Sequence, residues 1–244
     1  MNFTCPQSFS ELTQWQREEI CYLLLDNSAN FEQNYLQMIA ILFLREPTKT
    51  CRKNVIHLFR EVPIRELLPY GKFLLERTDL YEFPQISDKL HTPMARLSDC
   101  TIKQFSVSDA IFYKYSQEKK EVYAQQLVAS LYHYKGEKFD SLKLPEVAVF
   151  TDTISPKRRA QIIFVYRCVR EYIIERYPAV FPKGKKEEDK PVFKQKNAYI
   201  PFSKVIAAMA MDTTQPLGNW HECSTTRLYD FFDILNEAIL RNNT

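Results

Sequence analysis

Apolar residues recur every three or four positions along most of the chain, which is the spacing of one face of an α-helix. The first such stretch carries Trp15, Ile20 and Leu23 and begins at Thr13 and Gln16, whose spacing is that of a capping box. The same periodicity predicts helices over residues 13–25, 31–44, 63–77, 101–115, 121–134, 156–177, 201–211 and 224–240. The pattern therefore predicts a mainly α protein built as a multi-helix bundle.

Two stretches interrupt this helical period. The pattern over residues 45–62 is ambiguous, although Val55, Leu58 and Phe59 indicate a short turn of helix. Residues 80–97 are broken by proline and predict an extended connector with a short β-ribbon.

The chain also resembles itself at a fixed shift. Moving it by 88 residues produces six identities in 34 positions, where about two are expected by chance. These identities include both positions of the capping box: Thr13 and Thr101, Gln16 and Gln104. A later echo pairs residues 73–77 with 172–176. One interpretation is a duplicated three-helix module, with halves at 10–84 and 98–182; the other is that helix caps and amphipathic stripes look alike wherever they occur.

The C-terminal part of the chain is predicted to form a unit of its own. Residues 1–182 are predicted to form a helical core. In the 183–200 segment that follows, seven of the first eight residues are charged, which is typical of a linker. Residues 201–244 then predict a small helical unit with a movable apolar surface. The candidate partner-binding residues on that surface are Met209, Met211, Trp220, Leu228, Phe231, Phe232 and Leu235.

Composition narrows the class of protein further. Only 4 of 244 residues are glycine, which favours helices over folds rich in tight turns and excludes phosphate-binding glycine loops. The net charge of +3 gives no support for a nucleic-acid partner. Because no window is long and apolar enough for a signal peptide or a membrane span, we expect a cytoplasmic protein with no membrane contact.

Candidate chemistry is sparse. The six cysteines show no CxxC spacing. His57, His133 and His221 each have one neighbour at ligand spacing, but no further histidine or cysteine completes a set, so neither a metal nor another cofactor is predicted. A site using Cys100 or His133 stays open as an alternative. The predicted 156–177 helix carries a basic face that suits either solvent or an acidic partner: Lys157, Arg158, Arg159, Arg167 and Arg170.

Four short motifs resemble a family of helical proteins encoded among the tail genes of Bacteroidetes phages and prophages. They are Glu11-Leu12-Thr13, the LSDCTIKQF of 97–105, the LVASLYH of 127–133 and the YPAVFP of 177–182. This resemblance implies a tail-assembly role, as a chaperone-like partner of the tape-measure protein or as a small component of the particle.

Three functions follow as hypotheses. The first is a non-enzymatic assembly factor or adaptor that binds a partner protein such as the tape measure, in the bacterial cytoplasm. The second is a structural subunit that stays in the finished particle. The third is an enzyme with an unrecognised cysteine or histidine site.

Overall fold

The computed structural model describes residues 3–26, 30–76, 80–182 and 199–242. Helix makes up 67% and strand 3% of the structure, which confirms the mainly α prediction. The elements of the described residues are α1 (Gln14–Leu25), α2 (Phe31–Phe43), α3 (Lys49–Glu61), α4 (Ile64–Leu67), β1 (Leu90–His91), α5 (Ile102–Glu118), α6 (Glu121–Leu131), β2 (His133–Tyr134), α7 (Leu144–Thr151), α8 (Pro156–Arg176), α9 (Phe202–Met211), α10 (Trp220–Thr225) and α11 (Leu228–Asn242). Within these ranges, no helix has both the length and the apolar character that crossing a bilayer requires.

The chain divides into two compact units. The first comprises Met1–Tyr81 and Ile154–Cys168, and the second comprises Glu82–Thr153 and Val169–Thr244. Helix α8 therefore contributes residues to both units.

These units differ from the predicted domains. The halves expected at 10–84 and 98–182 do not have these bounds, because α8 is shared. The segment 201–244, predicted as a separate unit, belongs to the second unit. The predicted 183–200 linker lies outside the described residues, apart from its last two positions.

Helix α1 starts where the capping box predicted. The Thr13 hydroxyl accepts the Gln16 N–H at 3.2 Å, and the Gln16 side-chain oxygen accepts the Thr13 N–H at 3.0 Å. These contacts satisfy two of the donors that a helix start leaves free. Helices α1 and α2 end within one residue of their predicted positions.

The prediction for 45–62 was wrong, because α3 is a full helix of 13 residues. The Thr48 hydroxyl caps it by accepting the Cys51 N–H at 3.2 Å. Only Val55 is fully buried in this helix, and its polar residues outnumber the apolar ones, so the apolar stripe does not stand out in the sequence.

The prediction of one long helix over residues 63–77 was also wrong. Helix α4 ends at Leu67, and a 3-10 helix follows over Leu68–Leu74. Pro69 has no N–H to donate to the carbonyl four residues earlier, so the α-helical ladder cannot continue through it.

The core of the first unit lies between α1, α2 and the aromatic residues around them. Its fully buried side chains include Ile20, Met38, Ile39 and Leu42. The Phe9 ring stacks on that of Phe164 at 6.0 Å and meets that of Phe73 edge-on at 5.6 Å.

The second unit contains a β-ribbon and two helices that the pattern did not predict. Only the first strand of the ribbon lies in the predicted 80–97 stretch, and its partner lies at 133–134, where a helix was predicted. Strand β1 pairs antiparallel with β2, with Leu90 opposite Tyr134 and His91 opposite His133. Helices α5, α8 and α9 occupy their predicted stretches, and α6 ends at Leu131, three residues before its predicted end. Helix α7 and most of α10 lie where no helix was expected, and α11 begins at Leu228 rather than at residue 224.

A similar buried hydrogen-bonding contact, made by a glutamine side chain, occurs in each unit. In the first, Gln16 Nε2 donates to the carbonyls of Ile41 and Leu42, at the end of α2, at 3.0 Å each. In the second, Gln104 Nε2 donates to the carbonyls of Ser130 and Leu131, at the end of α6, at 3.1 Å each. Both glutamines therefore join the start of one helix to the end of the next.

Candidate functional site

The residues predicted to bind a partner lie mostly in the core of the second unit. Five of the seven are buried: Met209, Leu228, Phe231, Phe232 and Leu235. The other two, Met211 and Trp220, are 83% and 50% exposed. In this structure these residues do not form a continuous exposed patch, because most of their apolar side chains pack within the second unit.

The buried set belongs to an aromatic cluster around Phe232. Its ring lies 5.8 Å from Phe105 of α5, 5.6 Å from Phe202 of α9 and 5.2 Å from Tyr177. Burial of each such ring contributes about 1.5–3 kcal/mol. These residues hold α5, α9 and α11 together.

An apolar groove lies elsewhere in the same unit, along α5, α6 and α7. It has a volume of about 470 Å³. Its apolar lining consists of Ile111, Val122, Ala129, Leu144, Pro145 and Ala148. We call this feature the α5–α7 groove. Its remaining lining residues are Gln125, Gln126 and Asp152, so a single ionisable side chain touches it.

Local sequence explains how the groove forms. Lys119 takes the left-handed conformation, with φ 54°, at the C-terminal end of α5, and α6 starts two residues later. Such a cap lets the chain reverse at once, so α5 and α6 pack side by side. Alanines at positions 129 and 148 keep the groove open, because a methyl group fills little of the space between helices.

Exposed apolar side chains occur in the groove and in the chain segments that line it. Val122 is 47% exposed, and Val149 of α7 is 67% exposed. Leu142, in the short turn before α7, is 85% exposed. An apolar groove with apolar residues around it is the kind of surface that receives one face of an amphipathic helix.

A second, polar cavity of about 870 Å³ collects three of the four histidines. We call it the histidine cavity; its titratable lining residues are His91, Asp99, Lys103, His133, Glu137, Lys138, Asp140, Lys143, His221 and Arg227. His91 Nε2 lies 2.5 Å from Asp99 Oδ2, and the other oxygen of Asp99 accepts the Met94 N–H at 3.0 Å. The β1–β2 register places the His91 and His133 rings 4.6 Å apart.

The electrostatics of this cavity favour a neutral His133. Burial, and to a smaller extent the charge of His91, lowers the pKa of His133. Its Nδ1 atom is buried and has no hydrogen-bond partner among the described residues. A carboxylate-oriented imidazole beside a neutral one is an arrangement that can transfer protons. Among the described residues, no three histidine, cysteine or acidic side chains are placed to hold a metal ion.

Cys100, the other residue of the enzyme hypothesis, is not activated. It is buried, and its thiol donates to the Thr101 carbonyl at 3.3 Å. Burial, and then the charge of Asp99, raises the pKa of this thiol well above its ordinary value. The nucleophilic thiolate is therefore disfavoured at neutral pH.

The basic face of α8 is largely used inside the protein. Lys157 Nζ lies 2.6 Å from a carboxylate oxygen of Glu19, and Arg158 Nε lies 2.9 Å from one of Glu18. Arg159 is only 5% exposed. Arg170, in the second unit, pairs with a buried aspartate. Part of this face is solvated, since Lys157 and Arg167 are exposed. Carboxylates of the same chain pair with three of its cations.

No family model, curated protein or solved structure matches this chain.

Sequence reasoning missed both cavities. The α5–α7 groove depends on α7, whose eight residues from Leu144 to Thr151 were not recognised as a helix. The only signal for it is the short apolar run after Pro145. The His91–His133 pair has no local signal, because its members lie 42 positions apart and meet only through the β1–β2 pairing.

Proposed function

We propose that this chain is a non-enzymatic assembly factor that binds an amphipathic helix of a partner protein in the α5–α7 groove. The observation that carries the proposal is the apolar lining of this groove, in which Asp152 is the only ionisable residue. A partner helix gains by burying an apolar stripe there, since each apolar side chain removed from water contributes about 1.5–3 kcal/mol.

The resemblance to phage tail proteins supplies the biological setting. The partner is then a tail component such as the tape-measure protein, whose apolar helix faces would have to be shielded from water before the particle forms. The complex would form in the bacterial cytoplasm, and the factor would leave before the particle is complete. A structural subunit of the particle, the alternative, would use the same groove permanently.

Pull-down from cells that co-express the neighbouring tail genes tests this proposal. We expect Val122→Asp together with Ala148→Asp to weaken capture of the partner at least about tenfold, because each change places a charge in the apolar groove. Neither residue is fully buried, so circular dichroism should show an unchanged helix content.

Met211→Asp with Trp220→Ala is the matched control, because it alters the two exposed residues of the originally predicted surface. If this pair abolishes capture and the groove variant does not, the groove proposal is wrong. Mass spectrometry of purified particles separates the two biological roles: a chaperone-like factor should be absent, whereas a subunit should be present in stoichiometric amount.

The histidine cavity favours a second candidate function, an enzyme that uses acid–base chemistry. The Asp99–His91 pair would orient one imidazole, and His133 would accept a proton as a neutral base. Hydrolysis of p-nitrophenyl esters and bis-p-nitrophenyl phosphate is a direct test. Turnover should be lost in His133→Gln and kept in His57→Gln, which changes the one histidine outside the cavity; no turnover by the unaltered protein would leave this candidate without support.

A further inference from the structure

Helix α3 presents a basic face to solvent. Its apolar side, formed by Cys51, Val55, Leu58 and Phe59, is buried or half-buried. The opposite side is exposed along its whole length and carries Lys49, Arg52, Lys53, Ile56 and Arg60. Their spacing of three, four, seven and eleven residues from Lys49 places them on one face of a helix.

The cations of this face have no partners within the structure. Among the described residues, none of Lys49, Arg52, Lys53 and Arg60 forms an ion pair. Glu61, the only acidic residue of α3, lies beside His57 at 3.8 Å. The α3 cations thus differ from those of α8, which carboxylates of the same chain neutralise.

The arrangement is long enough for a helical partner. From Lys49 to Arg60 the axis of α3 rises about 17 Å, or three turns. Four like charges over that distance repel one another, and an anionic surface laid along the face would relieve the repulsion.

Ile56 indicates which kind of anion fits. It is 53% exposed and lies in the middle of the face, with Arg52 to one side and Lys53 and Arg60 to the other. Phosphate backbones need cations but gain nothing from a central isoleucine. A lipid surface would need a broad apolar face, and in α3 that face packs on the protein. An exposed apolar residue flanked by charges is the pattern by which one helix selects another helix.

We infer that the exposed face of α3 binds an acidic amphipathic helix of a protein partner. Leucine-type side chains of that helix would cover Ile56, and carboxylates on both sides of them would pair with Lys49, Arg52, Lys53 and Arg60. This surface belongs to the first unit and does not depend on the α5–α7 groove, so either can fail without the other.

The test uses the full chain and a fluorescent synthetic peptide. The peptide is a helix with one leucine stripe flanked by glutamates, and binding is followed by fluorescence anisotropy. We expect binding that weakens as salt rises from about 0.05 M to about 0.3 M, because ion pairs at an exposed interface are screened.

Lys53→Glu with Arg60→Glu should reduce the affinity about tenfold or more, because attraction becomes repulsion at two positions. Ile56→Ala should also weaken binding, at unchanged net charge. Lys135→Glu with Lys204→Glu is the matched control, with the same change in net charge at two exposed lysines outside α3, and it should bind as the unaltered protein does.

Three outcomes would overturn the inference. The first is no binding of the peptide at low salt. The second is equal loss in the α3 variant and in the control, which would show that only net charge matters. The third is tighter binding of a short DNA duplex, or of phosphatidylserine vesicles, than of the peptide, which would assign the face to nucleic acid or to a membrane.

Discussion

Gln104 should be among the most sensitive polar positions of the second unit. Its side chain is 5% exposed and donates to the carbonyls of Ser130 and Leu131. These carbonyls end α6, so they have no partner within the helix. Gln104→Met keeps the length of the side chain and removes both donors, which isolates the hydrogen bonds from the packing.

The expected loss of stability follows from burial. Ser130 and Leu131 are 0% and 1% exposed, so water cannot replace the amide group. Leaving a buried acceptor without a partner costs about 1–3 kcal/mol. Two acceptors, offset by the apolar gain of the methionine, give an expected loss of about 2–4 kcal/mol.

Urea unfolding followed by far-UV circular dichroism measures this loss. Gln117→Met is the control, since Gln117 lies on the same helix and is exposed; it should change the free energy of unfolding by less than about 0.5 kcal/mol. A loss in Gln104→Met below about 1 kcal/mol would refute the claim that these carbonyls depend on Gln104.

Three further predictions concern buried groups. Asp109→Asn should lower the free energy of unfolding by about 2–4 kcal/mol, measured by urea unfolding, because it removes the buried negative charge that lies 2.6 Å from Arg170 Nε. Burial, and then a hydrogen bond to a carboxylate, raises the pKa of Tyr177; the stability it contributes is therefore complete below a pH of about 10 and is lost as the pH rises further. Tyr177→Phe should flatten the alkaline fall of the urea midpoint, and an unchanged fall would contradict this assignment. Gly71→Ala should cost about 1–3 kcal/mol, seen as a lower melting temperature, because its methyl group would overlap Ile39 Cδ1.

Local signals explain which helices could be predicted. Helix α1 has a capping box at Thr13 and Gln16, and α5 has a Thr101 cap. The start of each helix can therefore be predicted from four consecutive residues. Helix α8 has 21 residues, enough for its apolar positions to repeat several times. Helix α7 has eight residues and begins near Pro145, so no period could be established.

The sites required information that a single stretch of sequence does not contain. An amphipathic stripe such as Phe231, Phe232 and Leu235 looks the same whether it faces its own protein or a partner, and here α5 and α9 cover it. The same holds for charge. Helices α8 and α3 both carry several lysines and arginines, so their sequences look alike in charge. Lys157 and Arg158 of α8 are paired only because the fold places the carboxylates of Glu19 and Glu18 beside them.

The recurrent glutamine contact bears on the proposed duplication. A Thr-x-x-Gln cap by itself is local and can arise wherever a helix begins, so its repetition at Thr13 and Thr101 has a simple alternative explanation.

The second contact of each glutamine does not have that explanation, because it depends on where the next helix ends. Gln16 and Gln104 lie 88 positions apart, and their acceptors Ile41 and Ser130 lie 89 positions apart. Helix caps that only look alike would not place the end of the following helix at a separation that agrees to within one residue, 25 against 26, so this contact supports duplication of the α1–α2 and α5–α6 pairs. The support stops at the pairs, because residues 73–76 lie in the 3-10 segment and the turn after it, whereas their counterparts at 172–175 lie in α8.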